Sequence, residues 1–224
     1  MAATLEGPRV APRAGGKARQ LVVFLHGYGA DGHDLISIGR AWQPILPHAA
    51  FVSPHAPEPC GMAPTGRQWF DLTFRDPQER WRGVNTAAPV LERFLDAELA
   101  RHGLGGEALA LVGFSQGTMM ALHVGLRRAV TPAAIVGYSG ALVLPGDSPE
   151  AIQSAVRARP PVLLVHGEAD DLIPAQAMLV AAEGLAALEI PVEWHLSPGI
   201  GHGIDNEGLR HGGEFLARRF DRSP

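Results

Sequence analysis

Short apolar runs alternate with longer segments of helical period from Gln20 to the C-terminus. The runs are four or five residues long and mostly continuous, as strands are when both faces of a parallel sheet are covered. Their alternation with helical segments is typical of βαβ units. We therefore predict an α/β fold with a mostly parallel central sheet flanked by helices. The predicted strands are Leu21–Leu25, Ala49–Val52, Ala108–Val112, Ala133–Val136, Val162–Val165 and Val192–His195.

The segments between these strands place apolar residues on one helical face. Asn85 and Thr86 are expected to begin the second helix as a cap, and Pro174 to lie in the first turn of the fourth, where its missing N–H is not needed. The predicted helices are Asp34–Ile45, Asn85–His102, Gln116–Arg128, Pro174–Leu188 and Glu207–Phe220.

Two segments fit neither template. The stretch Pro54–Gly83 carries scattered prolines, glycines and the aromatic residues Trp69, Phe70 and Phe74. A loop of that length inside a compact domain is usually functional. The N-terminal stretch 1–16 is expected to be a loose arm or a small hairpin.

Composition narrows the choice of partners and compartment. A chain of 224 residues with 46% hydrophobic and 19% charged residues predicts one globular domain, 1–224. Its net charge of −4 gives no electrostatic reason to bind nucleic acid or an anionic membrane. A lone cysteine, no secretory signal and no apolar run long enough for a membrane span predict a cytoplasmic protein. A homodimer is compatible with the sequence.

The sharpest chemical signal is Gly113-Phe-Ser-Gln-Gly117, which follows an apolar strand and precedes a helix. G-x-S-x-G in this context predicts a nucleophile elbow, because glycines two residues before and after the serine let strand and helix approach closely. Ser115 would then lie at a helix N-terminus, where the amide of Gln116 faces a developing negative oxygen. We predict that Ser115 is a nucleophile.

A serine nucleophile needs a base, and the base needs an orienting carboxylate. In this architecture the chain order is serine, acid, histidine. Asp170 and Asp171 follow the strand Val162–Val165, at the sheet edge where ligand crevices form in open α/β sheets. Asp170 is the preferred acid, and spacing alone leaves Asp171 open.

His202 is the predicted base. It lies after both partners, in a glycine-flanked loop beyond the last predicted strand. The other histidines fit less well. His195 falls within that strand, His211 falls in the last helix, and His166 precedes the acid and is expected to support its loop by hydrogen bonds.

The segment Gly27-Tyr-Gly-Ala-Asp-Gly32 has two interpretations. Glycines on both sides of Tyr28 would let its backbone amide act with that of Gln116 as an oxyanion hole. The same letters match G-x-G-x-x-G, a dinucleotide fingerprint, which makes a nucleotide-binding domain the remote alternative. That fingerprint also requires an acidic residue at the end of the second strand, where Ser53 stands instead.

No metal site is predicted, because the sequence has no H-E-x-x-H motif, no cysteine pair and no histidine pair at helical ligand spacing. Cys60 has no neighbour in sequence that would lower its pKa, so no catalytic role is assigned to it.

With these residues in hand, the chain resembles the carboxylesterase and acyl-protein thioesterase (lysophospholipase-like) family of α/β-hydrolases. Four ordered stretches from about Leu21 onward carry the resemblance, and Gln68-Trp-Phe-Asp71 is similar to the family's segment near the acyl site. The four stretches are Leu25-His-Gly-Tyr-Gly29, Gly113-Phe-Ser-Gln-Gly117, His166-Gly-Glu-Ala-Asp-Asp-Leu-Ile-Pro174 and Gly199-Ile-Gly-His202.

The resemblance implies a single-domain hydrolase without a large helical lid, with no cofactor, that acts on carboxylic esters or thioesters. It also implies that Asp170 is the acid. Tyr28 departs from the aliphatic residue that many relatives carry. The expected substrate is a small-molecule ester, with acylated protein or lysophospholipid as alternatives. The residues expected to line the acyl groove are Trp69, Phe70, Phe114 and Ile173.

Overall fold

A computed structural model describes residues 4–73, 76, 78–145 and 153–221. Phe74 and the first three residues of the predicted N-terminal arm lie outside them. The strands are β1 (Arg9–Val10), β2 (Gln20–Leu25), β3 (Ala49–Val52), β4 (Glu58–Pro59), β5 (Arg67–Gln68), β6 (Leu109–Phe114), β7 (Ala134–Tyr138), β8 (Val162–Gly167) and β9 (Val192–Ser197). The helices are α1 (Gly32–Trp42), α2 (Glu79–His102), α3 (Gln116–Gly125), α4 (Gln176–Ala187) and α5 (Asn206–Phe220), with a short 3₁₀ turn at Gly106–Ala108.

Seven strands form one sheet in the order β1-β3-β2-β6-β7-β8-β9. Every pairing is parallel except that of β1 with β3, which is antiparallel. The predicted α/β class and the mostly parallel central sheet are therefore confirmed. Among the described residues, no helix has the length and hydropathy needed to cross a membrane.

Both faces of the sheet are covered, which explains the continuously apolar strands. In β2, Leu21 and Leu25 point into the core under α2, α3 and α4, while Val22 and Phe24 point into the core under α1 and α5. This alternation follows from the two-residue period of a strand. The parallel order also places the carboxyl ends of β2, β6, β7, β8 and β9 at one edge, from which the candidate site is built.

The N-terminal segment is docked to the body of the protein. β1 pairs with β3, and the Arg9 guanidinium donates to both carboxylate oxygens of Glu98 on α2 at 3.1 and 2.7 Å. Leu5 is buried in the core. Residues Leu5 to Val10 therefore differ from the predicted loose arm or small hairpin, because backbone pairing and a partly buried ion pair hold them at the sheet edge.

The residues expected to begin α2 and α4 lie at other positions relative to the observed helix starts. α2 begins at Glu79, so the expected cap residues Asn85 and Thr86 lie inside it and donate to the carbonyls of Trp81 and Arg82 instead. Such side chains can bond to the preceding helical turn as well as cap a helix. Pro174 lies two residues before Gln176, the first residue of α4, and its carbonyl accepts from the Ala177 amide in the turn that leads into the helix.

Candidate active site

The turn between β6 and α3 is strained at Ser115. Its backbone has φ 54° and ψ −116°, a left-handed conformation that residues other than glycine rarely adopt. The flanking glycines are required by close packing: a Cβ at Gly113 would lie 2.4 Å from the backbone of Gly117, and one at Gly117 would lie 1.8 Å from the carbonyl oxygen of Leu25. The structure thus gives the predicted elbow geometry.

Asp170 and His202 meet across the carboxyl ends of β8 and β9. His202 Nδ1 lies 2.8 Å from Asp170 Oδ2, and the Asp170 side chain is fully buried. The other oxygen, Oδ1, accepts from the amides of Leu172 and Ile173 at 3.0 and 2.9 Å. Asp171, the alternative acid, is exposed at the next position. The contact with His202 therefore belongs to Asp170.

The charge state of Asp170 follows from these contacts. Burial opposes ionisation, but the amide of Ile173, the His202 ring and the amide of Leu172 outweigh it and hold the pKa of Asp170 below its ordinary value. A carboxylate that stays ionised can keep the proton of His202 on Nδ1, which leaves Nε2 free to accept another.

His166 is a second histidine that faces the acid. Its buried Nε2 lies 2.7 Å from the Ile173 carbonyl and 3.2 Å from Asp170 Oδ2. Both neighbours are acceptors, so we assign the proton to this nitrogen. As the sequence predicted, His166 supports the acid loop.

The two predicted oxyanion donors come from the turn after β2 and from the first residue of α3. As the first residue of α3, Gln116 has an amide without an intrahelical acceptor. Beside Tyr28, the amides of Gly29 and Ala30 donate to the carbonyls of Arg67 and Gly27. Among the described residues, the structure gives no protein acceptor for the Tyr28 amide. Both amides are therefore available to a ligand.

Buried polar side chains hold this arrangement in place. Gln116 Oε1 accepts from the Trp69 amide at 2.9 Å and Gln116 Nε2 donates to the Phe70 carbonyl at 2.7 Å. His26 Nε2 accepts from the Ala56 amide at 3.0 Å, so its Nδ1 carries the proton and donates to Gly27. Burial lowers the pKa of His26 to about 4 and keeps this ring neutral.

A small cavity of about 200 Å³ lies between these elements. Ser115 and His202 both line it, and the ring of Phe114 packs on that of His202 with centroids 4.9 Å apart. Most of the remaining lining is apolar. The lining residues are Gly27, Tyr28, Ala30, Leu72, Phe114, Ser115, Met119, Leu172, Ile173 and His202.

The expected groove residues divide into two pairs. Phe114 and Ile173 line the cavity, whereas Trp69 and Phe70 do not. Trp69 is buried, and its indole N–H donates to the His26 carbonyl at 3.0 Å; Phe70 packs where a Cβ on Gly83 would lie. These two aromatic residues therefore differ from the prediction: they are buried in the core and bonded to His26 and Gln116.

Sequence reasoning missed four side chains of the lining. Leu172 follows the acid by two residues, and Met119 lies one helical turn after Ser115. Leu72 follows the Trp-Phe-Asp segment, and Ala30 lies two residues after Tyr28. Partial burial, together with a hydrogen bond to the Cys60 thiol, raises the pKa of Tyr28 to about 12, so its hydroxyl stays protonated. The spacing from Ser115 and Asp170 could have identified Met119 and Leu172.

Close packing and backbone conformation explain glycines in the turn after β2 without a bound nucleotide. Gly29 has φ +82°, and a Cβ on Gly32 would lie 2.2 Å from the Ser53 carbonyl oxygen. The Asp31 side chain accepts from the His33 amide and caps α1. These contacts account for two of the three glycines in the G-x-G-x-x-G pattern.

Comparison with known proteins agrees with this geometry. The family model described as Phospholipase/Carboxylesterase matches residues 6–219. Esterase YpfH of Escherichia coli (strain K12) is 28% identical over 193 residues, 86% of this chain and 80% of that protein. Acyl-protein thioesterase 1 of Schizosaccharomyces pombe is 32% identical over 169 residues, 73% of this chain and 74% of that protein.

Among solved structures, the crystal structure of esterase PE8 superposes with a TM-score of 0.90 at 42% identity and covers 96% of this chain and 99% of its own. The Arabidopsis thaliana SOBER1 structure gives a TM-score of 0.79 at 26% identity, over 90% of this chain and 99% of that one. The chain belongs to the phospholipase/carboxylesterase family and has the α/β-hydrolase fold.

Proposed function

We propose that the protein hydrolyses carboxylic esters and thioesters of small to medium acyl chains through an acyl-enzyme on Ser115. The observation that carries the proposal is that Ser115 and His202 line one apolar cavity while His202 is bound to a buried, ionised Asp170. Membership of an esterase family supports the same reaction class.

In the proposed first half-reaction, Ser115 Oγ attacks the acyl carbonyl as His202 Nε2 takes its proton. Asp170 holds the ring in the required tautomer and stabilises the positive charge that forms on it. The amides of Tyr28 and Gln116 donate to the oxyanion of the tetrahedral intermediate. Collapse of the intermediate breaks the bond to the alcohol or thiol, which leaves with the proton from His202.

In the second half-reaction, water attacks the acyl-enzyme. His202 takes the proton of the water and then returns one to Ser115, which releases the carboxylic acid. The residues need no cofactor for these steps, since the base, the orienting acid and the oxyanion donors are all supplied by the chain.

Cavity size supports a small acyl group. Pockets for drug-sized ligands span roughly 300–1,000 Å³. The volume here, about 200 Å³, lies below that range. Leu172, which is 59% exposed, stands at the rim, so a longer chain would have to extend over the surface there.

A second candidate, deacylation of proteins or lysophospholipids, is favoured by the likeness to acyl-protein thioesterase 1. It uses the same residues and differs in the acyl length and leaving group. A long acyl chain would leave the cavity past Leu172.

The test is a panel of p-nitrophenyl esters and acyl thioesters from two to sixteen carbons, with kcat/KM measured for each. Short and medium chains should be turned over fastest, and Ser115→Ala should abolish turnover of all of them. Ser53→Ala is the matched control, because Ser53 is also buried but outside the cavity. A rate maximum at the longest chains would favour the second candidate, and unchanged turnover in Ser115→Ala would refute both.

A further inference from the structure

Three possible metal ligands meet at the surface where α5 packs against β9. One ring nitrogen each of His195 and His211 and one carboxylate oxygen of Glu207 lie within 4.8 Å of one another. His195 belongs to β9, while Glu207 and His211 are four residues apart on α5. The two imidazole rings pack with centroids 4.4 Å apart, and His211 Nε2 is 3.7 Å from Glu207 Oε1.

We propose that His195, Glu207 and His211 form a binding site for a divalent transition-metal ion, with Zn²⁺ as its probe. Two imidazole nitrogens and one carboxylate oxygen are donors that Zn²⁺ prefers, and a water molecule would complete a tetrahedral site. Mg²⁺ and Ca²⁺ prefer all-oxygen sites and are not expected to bind here.

The geometry requires a modest closure. Ligand bonds of about 2.0–2.1 Å place tetrahedral donors about 3.3 Å apart. The present separations, up to 4.8 Å, must therefore shrink by about 1.5 Å at most. Glu207 and His211 have 55% and 34% of their side-chain surface exposed, so rotation about their side-chain bonds can provide this closure.

The ring of His195 has unused bonding capacity. Its Nε2 is buried, and among the described residues it has no hydrogen-bond partner. A buried polar atom without a partner is costly. Nearby, Asp205 accepts from Ser197 Oγ and from the Gly208 amide, and its negative charge favours a cation beside His195.

Arg210 is the competitor for the same space. One of its terminal nitrogens lies 3.3 Å from His211 Nε2 and 3.8 Å from Glu207 Oε1. Its other terminal nitrogen donates to both oxygens of Glu214 at 2.9 and 2.8 Å. Glu214 can retain the guanidinium when a metal ion displaces it from Glu207.

The proposed metal site lies at both ends of the loop that carries His202. β9 ends at Ser197 and α5 begins at Asn206, so the segment that carries His202 runs between the two elements that the metal ion would join. Joining the ends of a loop reduces the conformational entropy of its open states. A bound ion would therefore brace the His202 loop and stabilise the folded chain.

The experiment is equilibrium dialysis of the full, tag-free chain against ZnCl₂, with bound metal measured by elemental analysis. We expect one Zn²⁺ per chain, and affinity at least about tenfold weaker in Glu207→Gln and in His211→Ala. His102→Ala is the matched control, a partly buried helical histidine outside the cluster, and should bind like wild type. Arg210→Gln should bind Zn²⁺ more tightly, because it removes the competing cation.

Two further readouts locate the ion. Zn²⁺ should raise the melting temperature of wild type and of His102→Ala but not of His211→Ala. His202→Ala should retain Zn²⁺ binding, which distinguishes this site from adventitious binding at the candidate catalytic residues. Absence of bound Zn²⁺, equal affinity in wild type and His211→Ala, or loss of binding in His202→Ala would overturn the proposal. Circular dichroism of each variant confirms that it is folded.

The sequence alone predicted no metal site because its two histidines are 16 positions apart and belong to different elements. Pairing of β9 with β8, and packing of α5 against β8 and β9, bring them together.

Discussion

His202 Nδ1 lies 2.8 Å from Asp170 Oδ2, and two backbone amides hold the other carboxylate oxygen. The acid is therefore oriented by its own loop before it orients the histidine. Because Oδ1 is fixed by Leu172 and Ile173, the direction of Oδ2 is set as well, and with it the tautomer of His202.

Asp170→Asn should remove the orienting charge while keeping the shape of the side chain. With Oδ1 still bound to the amides, the new N–H₂ group would face His202 Nδ1 and force its proton onto Nε2, so the ring could no longer accept the proton of Ser115. We expect kcat to fall by about 10³–10⁴-fold, as for the same substitution in a serine protease triad. Steady-state kinetics on a short p-nitrophenyl ester measures the effect.

Asp171→Asn is the control, because Asp171 is exposed at the neighbouring position. Its kcat should stay within about threefold of wild type, since surface substitutions outside a site have small effects. Equal rates in the two variants would contradict the assignment of the acid.

Gly117→Ala should disrupt the elbow. A Cβ at this position would lie 1.8 Å from the carbonyl oxygen of Leu25 in β2, so β2 and α3 would have to separate. We expect loss of activity and a free energy of unfolding lower by at least about 3 kcal/mol, measured by urea denaturation. Gly61→Ala is the matched control, because a Cβ there meets no atom within 4 Å. A Gly117→Ala chain as stable and active as Gly61→Ala would exclude the close approach.

Gln116→Met keeps the backbone amide of the proposed oxyanion hole but removes the side-chain clamp on Trp69 and Phe70. The backbone amide of Trp69 and the carbonyl of Phe70 would lose the hydrogen bonds to Gln116. Each buried group left without a partner costs about 1–3 kcal/mol of stability. Stability should therefore fall by about 2–6 kcal/mol, and activity should decrease because the segment that carries Trp69 and Phe70 is no longer held to α3. Urea denaturation measures the loss, and a free energy of unfolding for Gln116→Met within about 1 kcal/mol of wild type would contradict the clamp.

Stability should depend on pH between about 4 and 6.5 through buried histidines. Burial lowers the pKa of His26 to about 4 and that of His123 to about 3. In this window the unfolded chain binds protons that the folded chain excludes, so stability rises with pH across it and is lost as pH falls. His26 alone would contribute up to about 3 kcal/mol.

The measurement is urea denaturation of wild type and His123→Leu at pH 4.5, 5.5 and 6.5. The leucine variant should show a shallower decline towards acid pH, because it removes one group that must stay neutral. His102→Ala, outside the core, should retain the wild-type slope. A wild-type free energy of unfolding that is constant from pH 4.5 to 6.5 would rule out a contribution of the buried histidines to the pH dependence of stability.

Local pattern was sufficient to predict the sheet, the elbow and the order of Ser115, Asp170 and His202. These features depend on continuous apolar runs and on glycines next to reactive residues, both of which are visible along the chain. The docking of the N-terminal segment could not be predicted this way, since it depends on the distant pair Arg9 and Glu98.

The early start of α2 and the burial of Trp69 were not predictable for a similar reason. Asn85 has the same chemistry at a cap and inside a helix, and only the observed bond to Trp81 decides between them. Trp69 could equally have lined a groove, but bonds to Gln116 and His26 turn it into the core. Tertiary contacts of this kind have no periodic signature in sequence.

Covalent labelling can show whether Ser115 is the nucleophile of an acyl-enzyme. The protein would be treated with a fluorophosphonate, digested and examined by peptide mass spectrometry. We predict one adduct per chain, on Ser115, with labelling strongly slowed in His202→Ala and absent in Ser115→Ala. An adduct on another residue, or ester turnover that persists in Ser115→Ala, would show that Ser115 is not the nucleophile.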